Sequence, residues 1–100
     1  MQMRFEWDLV KAKTNLRKHG VSFETATLVF ADPFALFDRD RIDAGELRWI
    51  AIGSVDGLRV LVVAHVVRVQ DGEEVIRIIS ARKADRKEKR RYEEDDSARD

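Results

Sequence analysis

The sequence contains no cysteine, a single proline and no hydrophobic stretch of membrane-spanning length. The absence of cysteine excludes disulfides and thiol chemistry, and it favours a reducing compartment such as the cytoplasm. The longest apolar run, at 60–67, is about half as long as a transmembrane helix requires, and it contains His65. Residues 1–8 lack the apolar core of a signal peptide. We therefore expect a cytoplasmic protein that is neither secreted nor bound to a membrane.

The usual signatures of cofactor and metal chemistry are also missing. The two histidines, His19 and His65, are far apart in the sequence, and neither an HxxEH motif nor a cysteine cluster could hold zinc. The chain has no glycine-rich phosphate loop and no GxSxG nucleophile turn. We therefore expect the protein to use no cofactor and no metal.

The charge that is present is strongly segregated. The 100 residues include 19 basic and 19 acidic side chains, so the net charge is zero. Residues 76–92, IRIISARKADRKEKRRY, nevertheless carry eight cations against two carboxylates, a local charge of +6. A basic surface of this kind suits a polyanion. The alternative is a helix whose solvated charged face has no functional role.

The N-terminal third predicts a strand followed by a helical hairpin. Residues 3–7 are short, apolar and aromatic, as in an edge strand. Asp8 can cap a helix that ends at His19, because Gly20 can adopt the left-handed conformation. Ser22 can cap a second helix that ends at the only proline.

The rest of the chain predicts a sheet and a last helix. Runs rich in Val and Ile at 47–52, 58–69 and 75–79 are strand-like, with turn sequences between them. A further strand fits 34–37, and a basic helix begins near Ala84. The order β-αα-β-β-β-β-α predicts an α+β domain, with helices on one face of a mostly antiparallel sheet. We place this single domain at 1–94 and an acidic, frayed tail at 95–100.

His65 is the first candidate for proton transfer. Because the even-numbered residues of the run at 60–66 look like core, we expect His65 to point towards a functional surface. The alternative is a structural histidine satisfied within the fold. His19 has an ordinary explanation too, since the C-terminus of a helix favours a cation.

The junction between the last strand and the last helix supplies further candidates. Arg77 interrupts an apolar strand, so its charge must reach solvent, an anion or a structural carboxylate. In a regular strand Arg77 and Arg82 would lie on opposite faces, and they would share a site only through a bulge or a strand end. Arg82 and Lys83 could bind phosphate with free backbone N–H groups. Glu88 and Tyr92, one helical turn apart, could supply a carboxylate and a phenol to one site or simply cap the sheet edge.

A basic site with a proton-transfer group and no metal suits RNA cleavage. The ribose 2′-hydroxyl is an internal nucleophile, so the protein needs only to orient it, move protons and stabilise charge on the phosphate. DNA lacks this hydroxyl. The alternative, from another class, is a non-catalytic binding module such as a co-repressor subunit, because phosphate binding and phosphate cleavage use the same cations.

Several separated motifs resemble the BrnT family of type II toxins. They are FEWDLVKAKTNLRKHGVSFETATLVFADP at 5–33, ELRWIAIG at 46–53, the strand that ends at His65, and IRIISARKA running on to Arg90-Arg91-Tyr92. The resemblance covers residues 3–94. It implies a RelE-like fold and a toxin that cleaves RNA and halts translation. It also implies a BrnA-like antitoxin with a ribbon-helix-helix region, through which the complex would contact operator DNA.

The resemblance places the candidate residues in conspicuous motifs, and their chemistry predicts roles. The predicted catalytic residues are His65 or Glu88 as general base, Arg77 and Arg82 as stabilisers of phosphate charge, and Tyr92, which stacks on a base or assists proton transfer. The predicted RNA-binding residues are His19, Arg48, Lys83, Arg86, Lys87 and Arg90. An antitoxin segment, acidic or apolar, that covers this basic site would block RNA.

Overall fold

The computed structural model describes residues 3–97, which form one five-stranded sheet with helices on both sides. The strand order is β1-β5-β4-β3-β2. The strands are β1 (Met3–Glu6), β2 (Leu36–Asp43), β3 (Glu46–Val55), β4 (Arg59–Gln70) and β5 (Glu73–Lys83). β1 runs parallel to β5, and the other neighbours are antiparallel. The predicted α+β class and mostly antiparallel sheet are confirmed.

The helices within residues 3–97 are α1 (Leu9–His19), α2 (Phe23–Ala26), which continues as the 3-10 helix Thr27–Ala31, and α3 (Arg86–Ser97). The Asp8 carboxylate accepts hydrogen bonds at the start of α1, and Gly20 ends it with a φ of 70°. The second helix, predicted as continuous, tightens into a 3-10 helix after one turn. None of these helices is long and apolar enough to span a membrane.

Two boundaries differ from the sequence prediction. β2 extends to Asp43, well beyond the predicted 34–37, because it is an edge strand on which the mostly charged residues 38–43 can face solvent. α3 starts at Arg86 and includes residues 95–97 of the predicted tail, whereas 98–100 lie outside the described residues.

Hydrophobic residues pack against both faces of the sheet. On the inner face, α1, α2 and the 3-10 helix cover a cluster that includes Ala51 and Val63. On the outer face, the ring of Tyr92 from α3 packs against Ile52 and Val62. Neighbouring strand residues point to opposite faces, so the two clusters are separate. The prediction that all helices lie on one face is therefore wrong, because α3 crosses the other.

A β-bulge in β5 brings two distant arginines onto the outer face. Arg82 is paired with Val62, and Arg77 is paired with Val66, across the β4–β5 ladder. The two valines are four residues apart on β4 and therefore share a face. The register shifts midway between the pairs, where β5 contains one extra residue. In a regular strand Arg77 and Arg82 would lie on opposite faces, so they share a surface because of this bulge.

Asn15 attaches α1 to the edge of β5. Its Nδ2 donates hydrogen bonds to the carbonyl oxygens of Val21 (3.1 Å) and Ala81 (2.8 Å). Its Oδ1 accepts a hydrogen bond from the backbone N–H of Ala81 at 3.1 Å. β1 pairs only with residues 74–77 of β5, so this amide takes the place of a neighbouring strand at Ala81. The buried side chain thus completes the sheet where β1 ends.

Candidate active site: the arginine-rich outer face

Arginines line the outer face, and several of them are held by a carboxylate. Arg77 Nη2 lies 2.5 Å from Glu46 Oε1, and Arg48 Nη1 lies 3.3 Å from Asp43 Oδ2. An exposed pair such as Arg77–Glu46 contributes only about 0–1 kcal/mol to stability. A phosphate can therefore replace the carboxylate at little cost. The arginine–carboxylate pairs described on this face are Arg4–Glu73, Arg48–Asp43, Arg68–Glu6, Arg77–Glu46, Arg82–Glu88 and Arg91–Asp38.

Arg82 and Glu88 form a bidentate ion pair at the start of α3. Nη1 lies 2.8 Å from Oε1 and Nη2 lies 2.9 Å from Oε2. Glu88 also exchanges hydrogen bonds with Asp85, its Oε1 accepting from the Asp85 N–H and its own N–H donating to Asp85 Oδ1, as in a capping box. The hydrogen bonds from Arg82 hold the pKa of Glu88 below its usual range. Glu88 is thus an ionised, fully engaged carboxylate and a weak base.

Tyr92 is an anchor of α3 rather than an exposed ring. Its hydroxyl donates a 2.5 Å hydrogen bond to Asp32 Oδ2, which also accepts from the backbone N–H of Ser54 at 2.8 Å. The ring is buried against Ile52 and Val62. Because a buried ring offers no free face, the predicted stacking of Tyr92 on a base does not fit this geometry, and the sheet-capping alternative does.

His65 lies on the inner face, away from the arginines. Its side chain is 1 % exposed, and Phe30 and Phe37 meet its ring edge-to-face at centroid distances of 4.8 and 6.2 Å. Nδ1 lies 3.2 Å from the carbonyl oxygen of Val63. The prediction that His65 points to an open surface is wrong, because the odd-numbered residues of β4 also face a core. Burial lowers the pKa of His65, so the ring is neutral.

This burial predicts a pH-dependent stability. As the pH falls through the ordinary histidine value of 6.5, the unfolded chain takes up a proton that folded His65 does not. The free energy of unfolding should therefore decrease by about 1 kcal/mol between pH 7.5 and 5.5. Urea denaturation at both pH values should show that His65→Phe removes this decrease and that His19→Ala keeps it. An unchanged pH dependence in His65→Phe would contradict the assignment.

The remaining candidates lie around these groups. Arg86, Lys87 and Arg90 are exposed on α3, next to Arg82 in the chain. Lys83 is paired with Leu61 of the inner cluster, so its exposed side chain extends from the inner face of the sheet and not from the outer face. His19 is the last residue of α1, and no contact with the outer-face arginines is described for it.

A cavity of about 230 Å³ beside Arg77 contains residues that sequence reasoning missed. Lys11 reaches it from α1, while Asp43 and Glu46 reach it from either side of the β2–β3 turn. Lys11 and Glu46 lie within the motifs quoted above, but no local signal places them in one site, because these residues come together only when the sheet is assembled. Within residues 3–97, no group of His, Asp and Glu side chains could hold a metal ion. We refer to this cavity, lined by Lys11, Asp43, Ala44, Glu46, Arg48, Val66, Arg77 and Ile79, as the Arg77 pocket.

Comparison with known proteins gives a family. Residues 7–88 match the model of the ribonuclease toxin BrnT of type II toxin–antitoxin systems. No curated protein matches significantly. The crystal structure of the Brucella abortus ribonuclease toxin BrnT is similar, with a TM-score of 0.65 and 29% identity, covering 86% of this chain and all of that one. The chain therefore belongs to the BrnT family of ribonuclease toxins of type II toxin–antitoxin systems.

Proposed function

We propose that this protein is a toxin endoribonuclease that binds and cleaves RNA on the outer face of its sheet, without a metal, and so inhibits translation. The bulge in β5 is the observation that supports an RNA site on this face, because it brings Arg77 and Arg82 to one surface. Their partners on β4 are four positions apart along the strand, a span of roughly 13 Å. The two guanidinium groups therefore suit two different phosphates of one RNA strand.

The reaction uses the 2′-hydroxyl of the substrate as nucleophile. This hydroxyl loses its proton to solvent water, its oxygen bonds to phosphorus, and the phosphorus–O5′ bond breaks. The departing oxygen takes up a proton from solvent water, which leaves a 2′,3′-cyclic phosphate and a 5′-hydroxyl. Arg77 stabilises the charge that develops on the phosphate, and Arg82 holds a neighbouring phosphate. Arg86, Lys87 and Arg90 guide the RNA backbone along α3.

Of the two predicted general bases, only Glu88 lies on the outer face. Since its carboxylate already holds Arg82 and the start of α3, we assign Glu88 as a positioning residue for Arg82. His65 and Tyr92 support the fold in this proposal, and Lys83 and His19 lie outside the RNA path.

A Glu88→Gln variant tests this role. Cleavage should fall about tenfold, less than the 10²–10⁴-fold expected on removal of a general base. Any acidic limb found in the wild-type pH–rate profile should be kept in Glu88→Gln, because no base has been removed. Loss of that limb in Glu88→Gln, measured from pH 4.5 to 8 on the folded variant, would show that Glu88 is the base.

The function itself is tested with the purified protein in EDTA on single-stranded RNA and on DNA of the same sequence. RNA alone should be cut, and its fragments should carry 2′,3′-cyclic phosphate ends. RNA that stays intact, both alone and when bound to ribosomes, would contradict the proposal. Salt-sensitive binding of RNA and DNA without a cut would instead support the non-catalytic binding module.

We also propose that a BrnA-like antitoxin neutralises the toxin by covering the outer face. An acidic segment of the partner can form ion pairs with arginines whose own carboxylates are exposed and weakly held. Operator DNA would then be contacted through the antitoxin. An inhibited complex that still bound RNA on the outer face would contradict this mode of neutralisation.

A further inference from the structure

We propose that the Arg77 pocket binds the phosphate group that is cleaved, and that Lys11 is its third cation beside Arg48 and Arg77. This inference rests on the proposed ribonuclease function and names the phosphate site within it. Lys11 was not among the residues that the sequence pointed to.

The pocket gathers cations from three separate elements. Lys11 comes from α1, Arg48 from β3 and Arg77 from β5, and all three line one cavity of about 230 Å³. Since a water molecule takes up about 30 Å³, this space can admit a phosphate and part of a ribose. Val66 and Ile79 form apolar parts of the lining. The cations that line a neighbouring cavity, Arg86, Lys89 and Arg90, all belong to α3, whereas those of the Arg77 pocket come from three separate elements.

Arg48 is the least exposed of the arginines that form ion pairs in the described part of the chain. Its side chain is only 14% exposed, and its one described carboxylate contact is the 3.3 Å bond from Nη1 to Asp43. The buried Nε has no hydrogen-bond partner within the described part of the chain. A buried guanidinium N–H without an acceptor is costly, so the described residues leave the Arg48 guanidinium incompletely satisfied.

The two carboxylates of the pocket act as exchangeable stand-ins for phosphate. Asp43 and Glu46 flank the turn formed by Ala44 and Gly45, at φ values of 50° and 80°. Their side chains are 56% and 45% exposed, so solvent screens their pairs with Arg48 and Arg77. A phosphodiester brings its own charge and two free oxygens to the same cations. The phosphate of RNA therefore displaces Asp43 and Glu46 from Arg48 and Arg77, which are already ion-paired before RNA binds.

The chain offers a matched control for Lys11. Lys13 lies two residues further along α1, is also exposed, and lines a different groove with Trp7 and Leu9 on the other side of the helix. Lys11→Ala and Lys13→Ala remove the same charge from the same helix. Only Lys11→Ala removes this charge from the Arg77 pocket. A difference between the two variants therefore measures the loss of a cation from the pocket and not the change in net charge.

The experiment measures cleavage of single-stranded RNA and, separately, the salt dependence of binding to 2′-O-methyl RNA, which lacks the nucleophile. Lys11→Ala should lower cleavage roughly 10- to 100-fold and reduce the salt slope of binding by about 0.7. Lys13→Ala should stay within about twofold of the wild type, and Lys11→Arg should recover most of the activity. Asp43→Asn should bind RNA more tightly, because it removes a competing carboxylate.

The outcomes separate this inference from the proposed function. Wild-type protein that cuts RNA, with Lys11→Ala equal to Lys13→Ala in both measurements, would overturn the phosphate site alone. Wild-type protein that cuts nothing would overturn the ribonuclease proposal, and the salt slopes would still decide whether Lys11 contacts phosphate. Circular dichroism of each variant confirms folding, and Lys11→Gln serves as a second neutral replacement.

Discussion

Arg77→Ala is expected to lower RNA cleavage by roughly 10²–10³-fold while the protein stays folded. The loss follows from the removal of a fixed cation from the phosphate that gains charge in the transition state. Arg77 is 39% exposed and forms only a surface ion pair with Glu46, so its removal should cost little stability. Initial rates on a short single-stranded RNA measure the effect.

The control for Arg77→Ala is Arg59→Ala. Arg59 is similarly exposed and is also ion-paired, with Asp56 at the β3–β4 turn, away from the Arg77 pocket. The Arg59→Ala variant should cleave RNA at the wild-type rate. Equal rates for the two variants would exclude Arg77 from the reaction, since both lose one arginine from a half-exposed ion pair.

Asn15→Ala is expected to have the largest effect on stability, a loss of about 3–5 kcal/mol in the free energy of unfolding. The amide makes three hydrogen bonds in a buried site, and its removal leaves the N–H and the carbonyl of Ala81 without that partner. Each unsatisfied buried group costs about 1–3 kcal/mol.

Urea denaturation of Asn15→Ala beside Thr14→Ala measures this loss. Thr14 is the neighbouring residue on α1 and is exposed, so its replacement should change the free energy of unfolding by less than about 0.5 kcal/mol. A loss below about 1 kcal/mol in Asn15→Ala would mean that α1 does not depend on this attachment to β5.

The parts of the fold that sequence could predict are those set by local chemistry. Asp8 and Gly20 bound α1 because capping depends on residues within one helical turn. The central strands were recognisable because β-branched runs are interrupted by turn sequences. The edge strand β2 was predicted too short, since its charged residues resemble a loop and only their position at the edge makes them a strand.

The features that sequence missed depend on contacts between distant elements. The orientation of His65 could not be read from the alternation in β4, because both of its faces are buried by different helices. Arg77 and Arg82 meet on one face only through a bulge whose position no local pattern marks. Lys11 enters the Arg77 pocket because Asn15 holds α1 against β5, two strands away from Arg48. From the sequence we could therefore predict only that Arg77 and Arg82 would need a bulge or a strand end to share a site.

On the outer face, the positive charges of the arginines are balanced by nearby carboxylates. Arginines there face carboxylates of the same chain, so the basic surface is screened until an anion displaces them. We expect binding to RNA to weaken steeply with salt, because contact with phosphates still releases counterions. Overall charge is thus a poor guide to this surface, and the placement of the ion pairs decides what it can bind.

Methyl NMR with 2′-O-methyl RNA determines which face of the sheet binds RNA. Ala64 and Val66 belong to the outer face, whereas Val67 and Val69 belong to the inner face of the same strand. On addition of RNA, the Ala64 and Val66 methyl signals should shift, Val66 most because it lines the Arg77 pocket. Shifts at Val67 and Val69, with Ala64 and Val66 unchanged, would place RNA on the opposite face and contradict the proposed site.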